Sequence, residues 1–240
     1  MIINEITFLP GLDKQIKFLL DNVDIKNKSV LVIGSNTERI ALKLLRDAKE
    51  VFIIVDNQED LLRLRFNLAP KENLHARYME YSNTDFINKR FDIIYAQGSI
   101  TRNDRNKILK EIKKVLQPEG IFCAGEIVSL TSDPPQFVKD AWNHSSLSPL
   151  VSDRIENYYN EHGFKIIETI DLTDTLKEFY FLSKQLFKES TDELSKDEIK
   201  FYKKLLTRIK HESDVYLKLG GNKHIGFKSI LLKNADDEKG

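Results

Sequence analysis

The feature that most constrains this chain is a pair of short, unbroken apolar runs, each stopping at a residue suited to a turn or a ligand. Ser29 to Ile33 reads Ser-Val-Leu-Val-Ile and stops at Gly34, and Val51 to Val55 reads Val-Phe-Ile-Ile-Val and stops at Asp56. Runs of this kind, rich in β-branched residues and without polar alternation, suit strands buried on both faces, which occur in parallel sheets covered by helices. Between and after them the spacing turns helical, with Ile40, Ala41, Leu44 and Leu45 first, then Leu61, Leu62, Leu64, Phe66 and Leu68 over 57–68. The alternation continues with a weaker third strand at 76–79, a fourth at 91–96 and a fifth at 121–128. A helix over 102–116 precedes the fifth and is broken by Gln117-Pro118-Glu119-Gly120.

The second half has a different texture. After Asp133-Pro134-Pro135 a helix is predicted to end at His162-Gly163, where Gly163 can take the left-handed cap. A sixth strand follows over 164–170, then a helical stretch over 173–210 interrupted near 189–195, and a final strand over 224–232. Strand and helix in alternation imply right-handed crossovers. The expected fold class is therefore α/β: a Rossmann-like, doubly wound sheet of seven strands, mostly parallel, with a helical insertion before the last strand placed as a lid over one end. The expected organisation is one domain over 1–240, with a nucleotide-type core in 1–130, acceptor or lid helices in 131–162 and 171–222, and a frayed tail in 234–240.

Composition narrows the partners. The chain has 240 residues, 37 basic and 37 acidic side chains and so no formal net charge, which argues against a dedicated nucleic-acid binder. The single cysteine, Cys123, excludes an internal disulfide framework and any cysteine-cluster metal site. No apolar run reaches the roughly 20 residues of a membrane span, and Met1 to Phe18 lacks the pattern of a secretory signal, so a cytoplasmic protein is expected.

In a doubly wound sheet the ligand lies beyond the carboxyl ends of the strands, where strand order reverses. Those ends carry Gly34 to Thr37, Asp56, Met79 to Ser82, Ala96 to Ile100 and Glu126 to Ser129. Asp56 is the strongest signal: a carboxylate there can accept both hydroxyls of a ribose. The alternative is a helix cap for 57–68, since Asp is a favoured N-cap. The turn Gly34-Ser35-Asn36-Thr37-Glu38 keeps only the first glycine of a glycine-rich loop. Asn36 tolerates the left-handed region, whereas Glu38 adds bulk and negative charge where a ligand would come closest. A pyrophosphate would be repelled there, which disfavours a nicotinamide-dependent oxidoreductase and favours a nucleoside with a zwitterionic tail.

These segments together resemble the class I S-adenosylmethionine (SAM) dependent methyltransferases. Leu9-Pro10-Gly11-Leu12 and Lys28 to Gly34 are similar to the entry into the family's first motif, and Val51 to Asp56 to its second, whose acidic residue binds the SAM ribose. Phe91 to Gly98 resembles the fourth-strand motif, and 109–120, ending Val-Leu-Gln-Pro-Glu-Gly, resembles the helix and turn before the fifth strand. The region from Trp142 onward is similar to methyltransferases of small molecules. The resemblance implies SAM or S-adenosylhomocysteine as cofactor and a small-molecule acceptor as partner. The implied cofactor residues are Gly34, Ser35, Asn36, Asp56, Asn57, Glu80, Tyr81 and Gln97. Departures stand at Val32, where the family has an acidic residue, and at Asn36 and Glu38, where it has glycines.

Methyl transfer from a sulfonium to an electron-rich nucleophile proceeds mainly by positioning, so a catalytic residue is not required. His144 is the candidate general base; ordinary loop hydrogen bonding is the alternative. Glu80 could accept from an adenine amino group or be a solvated turn residue. Phe179, Tyr180, Phe181 and Phe187 could line an aromatic lid or simply pack a helix core. Cys123, inside a strand, reads as a small buried apolar residue. The basic residues after Tyr202 read as a solvated helix face, and His162, His211 and His224 are too scattered for a metal site. Two functions compete: a small-molecule methyltransferase, and a catalytically silent relative kept as a binding or partner subunit.

Overall fold

The computed structural model describes residues 7–88, 90–193 and 196–235, with the side chains of 186–206 left aside. The strands are β1 (Ser29–Ile33), β2 (Glu50–Val55), β3 (Leu74–Tyr78), β4 (Phe91–Gln97), β5 (Leu116–Ser129), β6 (Leu150–Val151), β7 (Phe164–Asp171) and β8 (Ile225–Asn234). The helices are α1 (Leu12–Asn22), α2 (Glu38–Leu44), α3 (Gln58–Asn67), α4 (Arg105–Val115), α5 (Gln136–His144), α6 (Ile155–Glu161), α7 (Thr175–Glu193) and α8 (Lys196–Leu217). Together they form the α/β, Rossmann-like architecture expected from the alternation.

The sheet runs β3-β2-β1-β4-β5-β8-β7, with β6 paired to the end of β5. The first five strands are parallel, and β8 runs antiparallel to both β5 and β7. Strand order reverses between β1 and β4, so a crevice opens at their carboxyl ends. The two-residue β6, with Val128 opposite Leu150, has no sequence signal: a pair of residues is too short to carry a periodicity.

Every residue of β1 is buried, as are all but the first of β2, which is why both lack polar alternation. On one face Val30, Val32, Ile53 and Tyr95 pack against Ile16 and Leu19 of α1, Ile40 and Leu44 of α2, and Leu64 of α3. On the other, Leu31, Ile33, Ile54 and Phe122 meet Ile108, Leu109 and Ile112 of α4 and Tyr159 of α6. A third cluster joins Trp142 of α5, Leu176 and Tyr180 of α7, Val215 and Tyr216 of α8, and Ile225 and Phe227 of β8. The helical insertion between β7 and β8 is thus seated through α5 at one end of the sheet.

Several expectations are corrected. The helix predicted over 102–116 starts at Arg105, so residues 98–104 form a loop. The expected frayed tail begins too early: Asn234 pairs with Phe164 and Ala235 donates to the Gly163 carbonyl at 3.0 Å, while 236–240 lie outside the described residues. Gly163 takes the predicted left-handed conformation, φ 76°. Among the aromatic residues proposed as a lid, Tyr180 is core, stacked on Tyr216 at 4.5 Å between centroids, whereas Phe181 is exposed. The side chain of Phe187 lies outside the described residues, as do those of 202–206.

Candidate functional site

The crevice is floored by the turn after β1. Gly34 has φ 131°, and a Cβ there would sit 2.9 Å from Ser99 Cβ, so the loop after β4 closes directly over it. Ser99 completes the contact by donating to the Ile33 carbonyl at 2.6 Å. Asn36 occupies the left-handed region at φ 59°, which lets the turn form without a glycine at that position. Glu38 differs from expectation: its carboxylate lies 3.4 Å from Asn67 Nδ2, at the far end of α3, so its charge is directed toward that helix. Val32 is fully buried in the core beneath α1 and α2.

At the end of β2, Asp56 does not cap α3. Asn57 does so, its Oδ1 accepting from the Asp60 backbone N–H at 2.7 Å. The Asp60 carboxylate in turn accepts from Ser35 and from Asn57 Nδ2, tying the β1 turn to the start of α3. Asp56 is left facing the crevice, where its Oδ2 accepts from Arg102 Nη1. Arg102 comes from the loop after β4 and crosses the end of β1 to reach it. Its Nε also donates to Asp104 at 3.1 Å, and its guanidinium lies 5.4 Å over the Tyr81 ring. Burial lowers the guanidinium pKa, but the Asp56 and Asp104 carboxylates more than offset this and hold the charge in place. Burial, with the Asp56 carboxylate beside it, pushes the Tyr81 phenol well above its usual range.

The structure therefore gathers Gly34, Ser35, Asn36, Asp56, Asn57 and Tyr81 around one crevice. Glu80 is exposed in a turn closed by its backbone to Asn83. Gln97 is buried and engaged elsewhere: its amide donates to the carbonyls of Pro10 at 2.7 Å and Leu12 at 2.9 Å, and its oxygen accepts from Tyr95. Its polar atoms anchor the entry to α1. His144 is exposed at the end of α5, its ring 5.8 Å from that of His211 on α8. Next to it Ser145 donates to the Glu212 carboxylate, a clasp between α5 and α8 in which burial raises the Glu212 pKa. Arg102 was missed in the sequence because its position reads as the first turn of α4.

Beside the crevice, on β5, Glu126 is fully buried. It accepts from Arg105 Nη2 at 3.0 Å, Thr101 at 2.8 Å and Tyr159 at 2.6 Å, which pins the loop after β4 and the start of α4 against β5 and α6. Among the described residues no group of three or more His, Cys, Asp or Glu is placed to hold a metal ion. None of their helices is long and apolar enough to cross a membrane. A cleft of about 370 Å³ lies at the opposite, amino end of the strands, between Lys28, Asp92, Gln117 and Lys233, away from the crevice.

A mixed sheet of this strand order, with its switch point between β1 and β4 and an acidic residue closing β2, is of the Rossmann-like class. Residues 30–120 match the family model of a methyltransferase domain, and the chain has the fold of the class I SAM-dependent methyltransferases. A protein from Galdieria sulphuraria assigned as a sarcosine dimethylglycine methyltransferase superposes with a TM-score of 0.72 at 16% identity, over 93% of this chain and 85% of its own. The cyclase SpnF gives 0.74 at 16% identity, over 92% and 80%. Geranyl diphosphate C-methyltransferase from Streptomyces coelicolor A3(2), solved with Mg2+, geranyl diphosphate and S-adenosyl-L-homocysteine, gives 0.68 at 13% identity, over 92% and 77%. No curated protein matches the chain by sequence. The presence of a cyclase among these neighbours shows that the fold does not by itself choose the reaction.

Proposed function

We propose that the chain is a SAM-dependent methyltransferase acting on a small-molecule acceptor, with SAM held in the crevice at the ends of β1, β2 and β4. The observation that carries this reading is Asp56. It closes β2 within the segment that matches the methyltransferase domain, is not used as a helix cap, and faces a crevice walled by Tyr81. The residues fit such a group. Asp56 supplies the acceptor for ribose hydroxyls, the backbone N–H groups of Ser35 and Asn36, following Gly34 whose own N–H is bonded to the Ile54 carbonyl, offer donors to the methionine end, and the Tyr81 ring offers a flat face to adenine. The bound sulfonium would supply an electrophilic methyl. The chain's own contribution is orientation, from the pinned loop after β4 and the α5–α8 layer that covers this end of the sheet. For a neutral acceptor, His144 is the imidazole we assign to take up the released proton. Glu80 and Gln97 receive no direct role, the first being solvated and the second engaged with Pro10 and Leu12.

Isothermal titration with S-adenosylhomocysteine tests this. Wild type is expected to bind, and Asp56→Ala to weaken binding about 10- to 100-fold, the range for hydrogen bonds to a charged group. Binding unchanged in Asp56→Ala would remove Asp56 from the site. A second reading, a silent relative serving as a binding subunit, is favoured by Val32, buried where the family carries its acidic residue. Methyl transfer by the purified protein that is lost in Asp56→Ala would exclude it.

A further inference from the structure

Arg102 stands where the proposed nucleoside would have to lie, and it holds that place with matching chemistry. Its Nη1 donates to the Asp56 carboxylate, the group to which ribose hydroxyls are assigned above. Its guanidinium lies 5.4 Å over the Tyr81 ring, within the range in which an aromatic face holds a flat cation. A nucleoside offers the same two features, hydroxyl donors and a planar base. The side chain is thus an internal stand-in for both halves of such a ligand.

The surroundings permit exchange. Arg102 and Asp56 keep 35% and 29% of their side-chain surface, whereas Arg105, three residues further on at the start of α4, and its partner Glu126 on β5 keep 5% and 1%. One pair is therefore a fixed anchor, and the other can open without stranding a charge in the core. Asp104 offers Arg102 a second carboxylate, already 3.1 Å from its Nε, on the solvent side of the same loop. A guanidinium displaced from Asp56 stays neutralised.

We propose that Arg102 is a latch on the crevice. In the unliganded chain it closes the site by pairing with Asp56 and covering Tyr81, and a nucleoside must displace it toward Asp104 to bind. The inference rests on the nucleoside reading of the crevice. Because a ligand binds only the open fraction, the latch lowers apparent affinity by that fraction. A half-exposed ion pair combined with a cation–aromatic contact corresponds to about a threefold to tenfold effect.

The test is titration of S-adenosylhomocysteine into wild type, Arg102→Gln and Arg102→Lys at 50 and 500 mM KCl, with circular dichroism confirming that each is folded. Arg102→Gln is expected to bind about threefold to tenfold tighter at low salt and to respond little to salt. Wild type should tighten toward the Gln variant at high salt, because screening weakens the pair it must break, and Arg102→Lys should fall between them. Binding by wild type with equal or weaker binding by Arg102→Gln would overturn the latch and leave the nucleoside site standing. Absence of binding in all three folded proteins would overturn the nucleoside reading and the latch with it. Binding by Arg102→Gln alone would support both.

Discussion

Removing Arg105 should be the most informative single perturbation of the scaffold that holds the crevice. Arg105 is the first residue of α4, and its guanidinium meets Glu126 as a fork, Nε to Oε1 at 3.0 Å and Nη2 to Oε2 at 3.0 Å. Glu126 is fully buried, and Thr101 and Tyr159 supply its remaining donors. In Arg105→Met the stem volume stays but the positive charge goes, leaving a carboxylate in the core with two neutral donors. Breaking a buried pair in this way costs about 3–5 kcal/mol. For a chain of this size that is a fall of about 10 °C in Tm. Urea unfolding of wild type, Arg105→Met, Glu126→Leu and the double variant measures this. The double variant should cost less than the sum of the singles by about 2 kcal/mol. An Arg105→Met loss below about 1 kcal/mol, or strictly additive singles, would refute the anchoring role.

Three further outcomes are expected. Gly125→Ala should destabilise by about 1–3 kcal/mol in urea unfolding, because a Cβ there would meet Gln15 Oε1 at 1.9 Å while that amide is tied to the Ala96 carbonyl at 2.9 Å; a neutral substitution would show that Gln15 can move. Cys123 is fully buried and burial pushes its thiol up to about 12, so a thiol reagent at pH 8 should modify native protein only as it opens, and immediate labelling would contradict the strand placement. Burial raises the Glu212 pKa, so this group's contribution to stability is present below its unfolded value and lost as pH rises through the folded one. Glu212→Gln, which keeps the acceptor for Ser145, should therefore flatten that loss and be at least as stable as wild type at pH 7 by thermal unfolding.

Much of the sheet is legible in the sequence, and the reason is local. A strand covered by helices on both faces needs an unbroken apolar run, so 29–33 and 51–55 announce themselves and bring Gly34 and Asp56 to strand ends. Element ends were less legible. Arg102 looks like part of an amphipathic helix because it lies in step with Ile108, Leu109 and Ile112, yet its side chain is drawn across β1 to Asp56 and the helix starts only at Arg105. The roles of polar residues were least legible. Gln97 sits at a strand end as a cofactor residue would, but it bonds to Pro10 and Leu12, 87 and 85 positions away. Glu38 seemed poised to repel a ligand, yet it turns to Asn67, 29 positions on.

By itself, then, the sequence determined the alternation of strands and helices, the two-sided burial of the parallel strands and the placement of an acidic side chain at the end of β2. All of these follow from periodicity and hydrophobic burial, which neighbouring residues express together. Only the tertiary structure decided which charges meet. Asp56 takes Arg102 from 46 positions away, and Glu126 takes Arg105 from 21, one pair open to solvent and the other sealed. Coulomb attraction and desolvation depend on distance and burial in three dimensions, and no spacing along the chain encodes either.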